Sequence, residues 1–143
     1  MFNWLNVQPK KQYTDEYDTK LGIISTMLLD SNNFDQSVLR TYCQGLSYGN
    51  VNFYENYENI DAGCIMWANI TPKVLNRIKT TKLTTLHPSE WNEGNICFVI
   101  HCLAPYGHFK FIMNEFLSTH PNICYLKNSI RYYPLQFGHI ITQ

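Results

Sequence analysis

The sequence predicts an α/β domain with a mixed central sheet flanked by helices, and three observations carry the prediction. Apolar residues recur at helical spacing over residues 21–46 and then nearly alternate over 51–70. Thr71-Pro72 opens another helix, with a hydroxyl at the N-cap and proline at the first helical position. Residues 96–103 are almost continuously apolar, as in a central strand covered on both faces.

The first eighteen residues are polar, with Lys10-Lys11 and Asp15-Glu16, and are expected to form an arm with few contacts to its own domain. Residues 19–143 then form one domain. Leu21, Ile24 and Leu28, with Ile23 and Met27, lie on one helix that stops in the turn formers Asp30-Ser31-Asn32-Asn33. A second helix over about 35–46 carries Val38, Leu39, Tyr42 and Leu46, with Gly45 and Gly49 as stop signals. Residues 51–57 and 64–70 read as strands joined through Asn59, Asp61 and Gly63. The helix after Thr71 carries Val74, Leu75, Ile78 and Leu83, and 87–94 is a loop. Ala104-Pro105-Tyr106-Gly107 breaks the central strand. Phe109, Ile112, Met113, Phe116 and Leu117 then form a helical stripe ending before His120-Pro121. Residues 123–126 and 130–133 are expected to be closing strands.

Composition narrows the function. Hydrophobic residues are 45% of the 143 and charged residues 15%, a globular balance. Eleven basic residues offset eleven acidic ones, so the broad positive footprint of non-specific nucleic-acid binding is missing. No apolar run reaches the roughly 18–20 residues of a membrane helix, and Met1-Phe2-Asn3-Trp4 has no signal-peptide character. The five cysteines are odd in number and form no CxxC pair, which argues for reduced thiols in a cytoplasmic protein and against a structural metal site.

Among single residues His101 stands out, because alternation places it with Cys97, Val99 and Leu103 on one face of an apolar strand. A histidine at the end of a central strand is either a satisfied core group or a general base. If it is a base, a carboxylate or a backbone carbonyl is expected to orient it, with Asp30 and Asp35 as the candidate carboxylates. Cys102 points to the opposite face from its neighbour, so a Cys/His nucleophilic pair is disfavoured, and a thiol enzyme using Cys97 or Cys102 is a distant third reading. His108, after Gly107, is expected to be a solvated helix cap or a contact to an anionic group.

Two segments resemble the toxin-activating lysine acyltransferases, also called the haemolysin-activator family. Trp67-Ala68-Asn69-Ile70-Thr71 is similar to that family's W-A-N-hydrophobic-S/T junction. Glu90-Trp91-Asn92-Glu93-Gly94, followed by Phe98-Val99-Ile100-His101-Cys102-Leu103-Ala104-Pro105-Tyr106-Gly107, resembles its E-D-W-x-x-G and W-F-I-D-W-I-A-P-F-G segments. The resemblance covers about residues 20–120 and is specific from Trp67 to Gly107. It implies a GNAT-like fold and transfer of a fatty acyl group from acyl carrier protein to internal lysines of a pore-forming toxin, with no bound cofactor. It also implies that Ala104, Pro105, Tyr106, Gly107 and His108 line the substrate site. The family's strand aspartate falls on His101. The family's histidine between the first two helices has no counterpart in Asp30-Ser31-Asn32-Asn33-Phe34-Asp35, where Asp35 is the weaker catalytic candidate.

Two readings follow. In the first, the chain is a cytoplasmic acyltransferase with His101 as base and with acyl carrier protein and a protein substrate as partners. In the second, it is a non-catalytic interaction or assembly protein of the same fold, such as a virion or other large-complex component, a homo-oligomer included. The polar arm is the main support of the second.

Overall fold

In the computed structural model, described for residues 6–10, 16–32, 34–126 and 139–141, a six-stranded mixed sheet carries four helices. The strands are β1 (Val7–Pro9), β2 (Val51–Asn56), β3 (Asp61–Ile70), β4 (Ile96–Leu103), β5 (Ile123–Leu126) and β6 (His139–Ile141), in that spatial order. The helices are α1 (Tyr17–Asp30), α2 (Gln36–Ser47), α3 (Pro72–Thr81) and α4 (Phe109–Thr119). The sheet is antiparallel from β1 to β4 and parallel from β4 through β6. Helix α4 makes the crossover between β4 and β5, a connection that parallel neighbours require. This mixed architecture is consistent with the GNAT-like fold.

Local chemistry accounts for the helices. Asp35 caps α2 by accepting from the Ser37 backbone N–H at 2.8 Å, and the Thr71 hydroxyl accepts from the Val74 N–H at 3.2 Å to start α3. Ser31 closes α1 by donating to the Leu28 carbonyl, and Lys82 ends α3 in the left-handed region. Gly45 does not stop α2; it lies within it, where an added Cβ would come within 2.9 Å of the Met66 sulfur. Leu83 lies past the end of α3 and is exposed. The loop after α3 contains a short 3-10 turn, Pro88–Glu90, closed by a reciprocal cap between His87 and Glu90.

Two apolar layers cover the sheet. One packs Ile24, Met27, Tyr42, Val74 and Ile78 of α1, α2 and α3 against Phe98, Ile100 and Leu103. The other packs the whole expected stripe of α4 against Val99, Ile65 and Ile123. The arm is where expectation fails. Val7 to Pro9 pairs with β2, and Val7 is buried in the α4 layer, because β2 would otherwise present an unpaired edge and Val7 supplies apolar area to seal it. The strand expected at 130–133 lies outside the described residues.

The Arg77–Glu90 pair gives a pH-dependent contribution. Arg77 donates to both Glu90 oxygens at 2.6 and 2.8 Å, and the His87 N–H donates to the same carboxylate at 2.7 Å. The Arg77 guanidinium is the main reason the Glu90 carboxyl falls from an ordinary 4.5 to about 2. A depressed folded value means stability present above about pH 4.5 and lost as pH falls toward 2. Because Arg77 is partly exposed, screening leaves about 1 kcal/mol. Urea unfolding should show Glu90→Gln less stable than wild type near neutrality, with the difference closing through that window. A difference that does not change with pH would refute the linkage.

Candidate active site

Among the described residues β4 pairs with β5 at Cys97 and Phe98, and the far half of β4, with His101, is bonded to β3. A register shift in the β3–β4 ladder pairs Met66 with His101 and Trp67 with Val99, which leaves Ile100 as the extra residue. Beyond it the phase inverts. Leu103 lies with Phe98 and Ile100 in the α1–α2 layer, whereas Cys102 and Ala104 lie with Cys97 and Val99 toward α4. The expectation that His101 shares a face with Cys97 and Val99 is thus overturned; the bulge turns its ring toward α2.

There His101, half-buried, meets the hydroxyl of Tyr42 at 2.7 Å from Nδ1, with the two rings nearly perpendicular. The partner at Nδ1 is a phenol, where a carboxylate or a backbone carbonyl was expected. Asp35 is exposed and accepts from the N–H and hydroxyl of Ser37. Asp30 accepts from the Tyr106 hydroxyl, which ties the turn after β4 to the end of α1 and raises the Tyr106 phenol to about 12. Tyr42 itself is buried, and burial pushes its hydroxyl well above the ordinary tyrosine range.

The turn residues Ala104, Pro105, Tyr106 and Gly107 run from half-buried to exposed, with Gly107 at φ 91°, a conformation suited to glycine. His108 is not the solvated cap expected. It is 8% exposed, its Nδ1 has no hydrogen-bond partner, and burial lowers its basicity. A groove of about 400 Å³ runs along α1, with Ile23 and Met27 beneath and Thr19, Thr26, Asp61 and Tyr106 at its sides. His101 is not among the residues lining it. Lys10 is ion-paired with Asp61 at that rim.

Burial disfavours Cys97 and Cys102 as nucleophiles. Burial lifts Cys97 to about 11 and Cys102 well above the ordinary thiol range, so neither is a thiolate near neutrality. Among the described residues no helix is long and apolar enough to cross a membrane, and no group of three His, Cys, Asp or Glu side chains is placed to hold a metal.

The two resembling segments meet in space. The Asn69 N–H donates to the Trp91 carbonyl at 2.8 Å, the Gly94 N–H donates to the Asn69 carbonyl at 3.0 Å, and the Asn50 amide bridges to Asn92 at 2.8 Å. Residues 18–134 match the HlyC family of RTX toxin acyltransferases. The chain belongs to that family. It is similar to the leukotoxin-activating lysine-acyltransferase LktC serotype A1 of Mannheimia haemolytica, 30% identical over 71 residues, a stretch that is 49% of this chain and 40% of that relative. The acyltransferase family and the mixed α/β fold were thus legible in sequence. Tyr42 was not: it reads as one more apolar position of α2, and its partner is 59 residues away.

Proposed function

We propose that the chain is a cytoplasmic lysine acyltransferase of the toxin-activating type, moving a fatty acyl group from acyl carrier protein to a lysine of a protein substrate. The observation that carries the reading is His101, held at Nδ1 by Tyr42 on the half of β4 beyond its described pairing with β5. Family membership and the relative's lysine-acyltransferase name support the same chemistry. In the reaction the neutral lysine amine attacks the thioester carbonyl carbon, a C–N bond forms and the C–S bond breaks. The amine proton ends on the departing thiol.

In this reading His101 is the residue at the reacting carbonyl, and the Ala104–His108 turn receives the thioester. Asp35 has no part beyond its capping bonds. The assembly reading loses its main support, because Val7 of the arm is buried against the chain's own core. Incubating the protein with acyl carrier proteins bearing several chain lengths and a lysine-containing toxin substrate should add one acyl mass per modified lysine in intact-mass spectra. No added mass with any chain length would overturn the proposal.

A further inference from the structure

We infer that the groove along α1 seats the apolar tail of the transferred acyl group, an assignment that rests on the acyl-transfer reading and adds to it a residue set for chain-length choice. The groove measures about 400 Å³, a size within the range of small-molecule sites.

One helix supplies its floor. Gly22, Ile23 and Met27 of α1 line it, and Ile23 and Met27 also pack into the core layer on that side of the sheet. Thr19 and Met27, at the two ends of the α1 lining, stand about 12 Å apart along the helix axis. That length suits a chain of many carbons and far exceeds an acetyl group. At Gly22 the helix surface is open, since an added Cβ would meet nothing within 4 Å.

The polar side chains of the lining are already bonded within the protein. Thr26 donates its hydroxyl proton to the Gly22 carbonyl at 3.0 Å, and Thr19 donates to the Glu16 carboxylate at 3.4 Å. Asp61 is ion-paired with Lys10, and the Tyr106 hydroxyl donates to Asp30. A charged or polar occupant would have to displace one of these bonds to be satisfied, whereas hydrocarbon needs no partner. The acceptor lysine is the poorer fit for this reason. The Asp61 carboxylate that its ammonium would seek already holds one, and Lys10 is itself anchored by its backbone N–H on the Phe53 carbonyl at 2.9 Å.

Tyr106 joins the groove to the site. It belongs to the Ala104–His108 turn and lines the groove, and its bond to Asp30 ties that turn to the C-terminal end of α1. A thioester received at the turn therefore has the groove beside it. The carbons beyond the carbonyl lie along α1 toward Thr19, while His101, outside the groove lining, stays with the carbonyl. Each methylene that leaves water adds to affinity until the groove is full, so the groove favours longer chains over short ones.

Methyl NMR tests the seat without turnover. With isoleucine and methionine methyl groups labelled, dodecanoyl-pantetheine should move the Ile23 and Met27 signals and butanoyl-pantetheine should leave them in place. Signals unmoved by the dodecanoyl thioester overturn the inference, whatever the activity, as do signals that answer to a lysine-containing peptide instead. Kinetics test the selection. Gly22→Leu puts a side chain into the groove from a helix position with no neighbour to clash. With acyl carrier protein as donor, it should cut the kcat/KM ratio of dodecanoyl to butanoyl transfer by at least about tenfold. An unchanged ratio would remove the groove from chain recognition while leaving acyl transfer standing. Absence of transfer by the wild type, with the methyl signals still answering to the long chain, would sink the acyl-transfer reading and leave the groove as a seat for apolar chains.

Discussion

His101→Ala should lower acyl transfer by about a hundredfold or more, the usual cost of removing a group that acts at the reacting carbonyl. The loss should fall on the chemical step and not on carrier-protein binding, because the ring lies on β4 while the proposed docking turn starts only at Ala104. A structural side effect is expected and separable. Removing the ring takes from the buried Tyr42 hydroxyl its imidazole partner, at about 1–3 kcal/mol. The double variant Tyr42→Phe with His101→Ala removes both partners and should recover most of that stability without recovering activity. Transfer at the wild-type rate by a folded His101→Ala protein would take His101 out of the mechanism.

The distinction between stability and chemistry also explains which parts of the site could be read from sequence. The α4 stripe was legible because five apolar residues at helical spacing leave one arrangement, and all five are buried. Thr71-Pro72 was legible because capping is local. The face of His101 was not, since alternation assumes an unbroken ladder and the bulge at Ile100 is a property of the β3–β4 pair. Val7-Gln8-Pro9 is too short to show any period; its place is decided by the free edge of β2. The orienting group of His101 escaped for the same reason as the bulge. It is chosen by long-range packing of α2 on the sheet, and Tyr42 carries no local mark of a polar task.

The resembling segments themselves divide between chemistry and construction. Trp91 is buried beside Tyr48, and the backbone around it is stitched to β3 through Asn69. Asn50 reaches from the start of β2 to the Asn92 side chain, so the loop before β4 is anchored on two strands. That anchoring fixes where β4 begins, and therefore how far its bulge and His101 stand from the start of the strand. Much of what makes the Trp67–Gly107 region recognisable is thus the frame that positions the site.

Gly94→Ala should test that frame with a large stability loss for so small a change. A Cβ there would lie 2.0 Å from the Ile70 carbonyl oxygen, 2.2 Å from its carbon and 2.5 Å from the Thr71 nitrogen. All three are backbone atoms at the β3–α3 junction, so no side-chain rotation can relieve the clash, and Asn69 is bonded to the same glycine. Either the loop lifts off β3 or the start of α3 shifts, at about 3 kcal/mol and about 10 °C in thermal midpoint. The matched control is Gly22→Ala in the middle of α1, where an added methyl meets nothing within 4 Å. There the same substitution should raise stability by about 0.5–1 kcal/mol, because alanine loses less backbone entropy in a helix. Equal effects at the two glycines in thermal unfolding would show that the strand–loop stitch does not constrain the protein in the way these distances require.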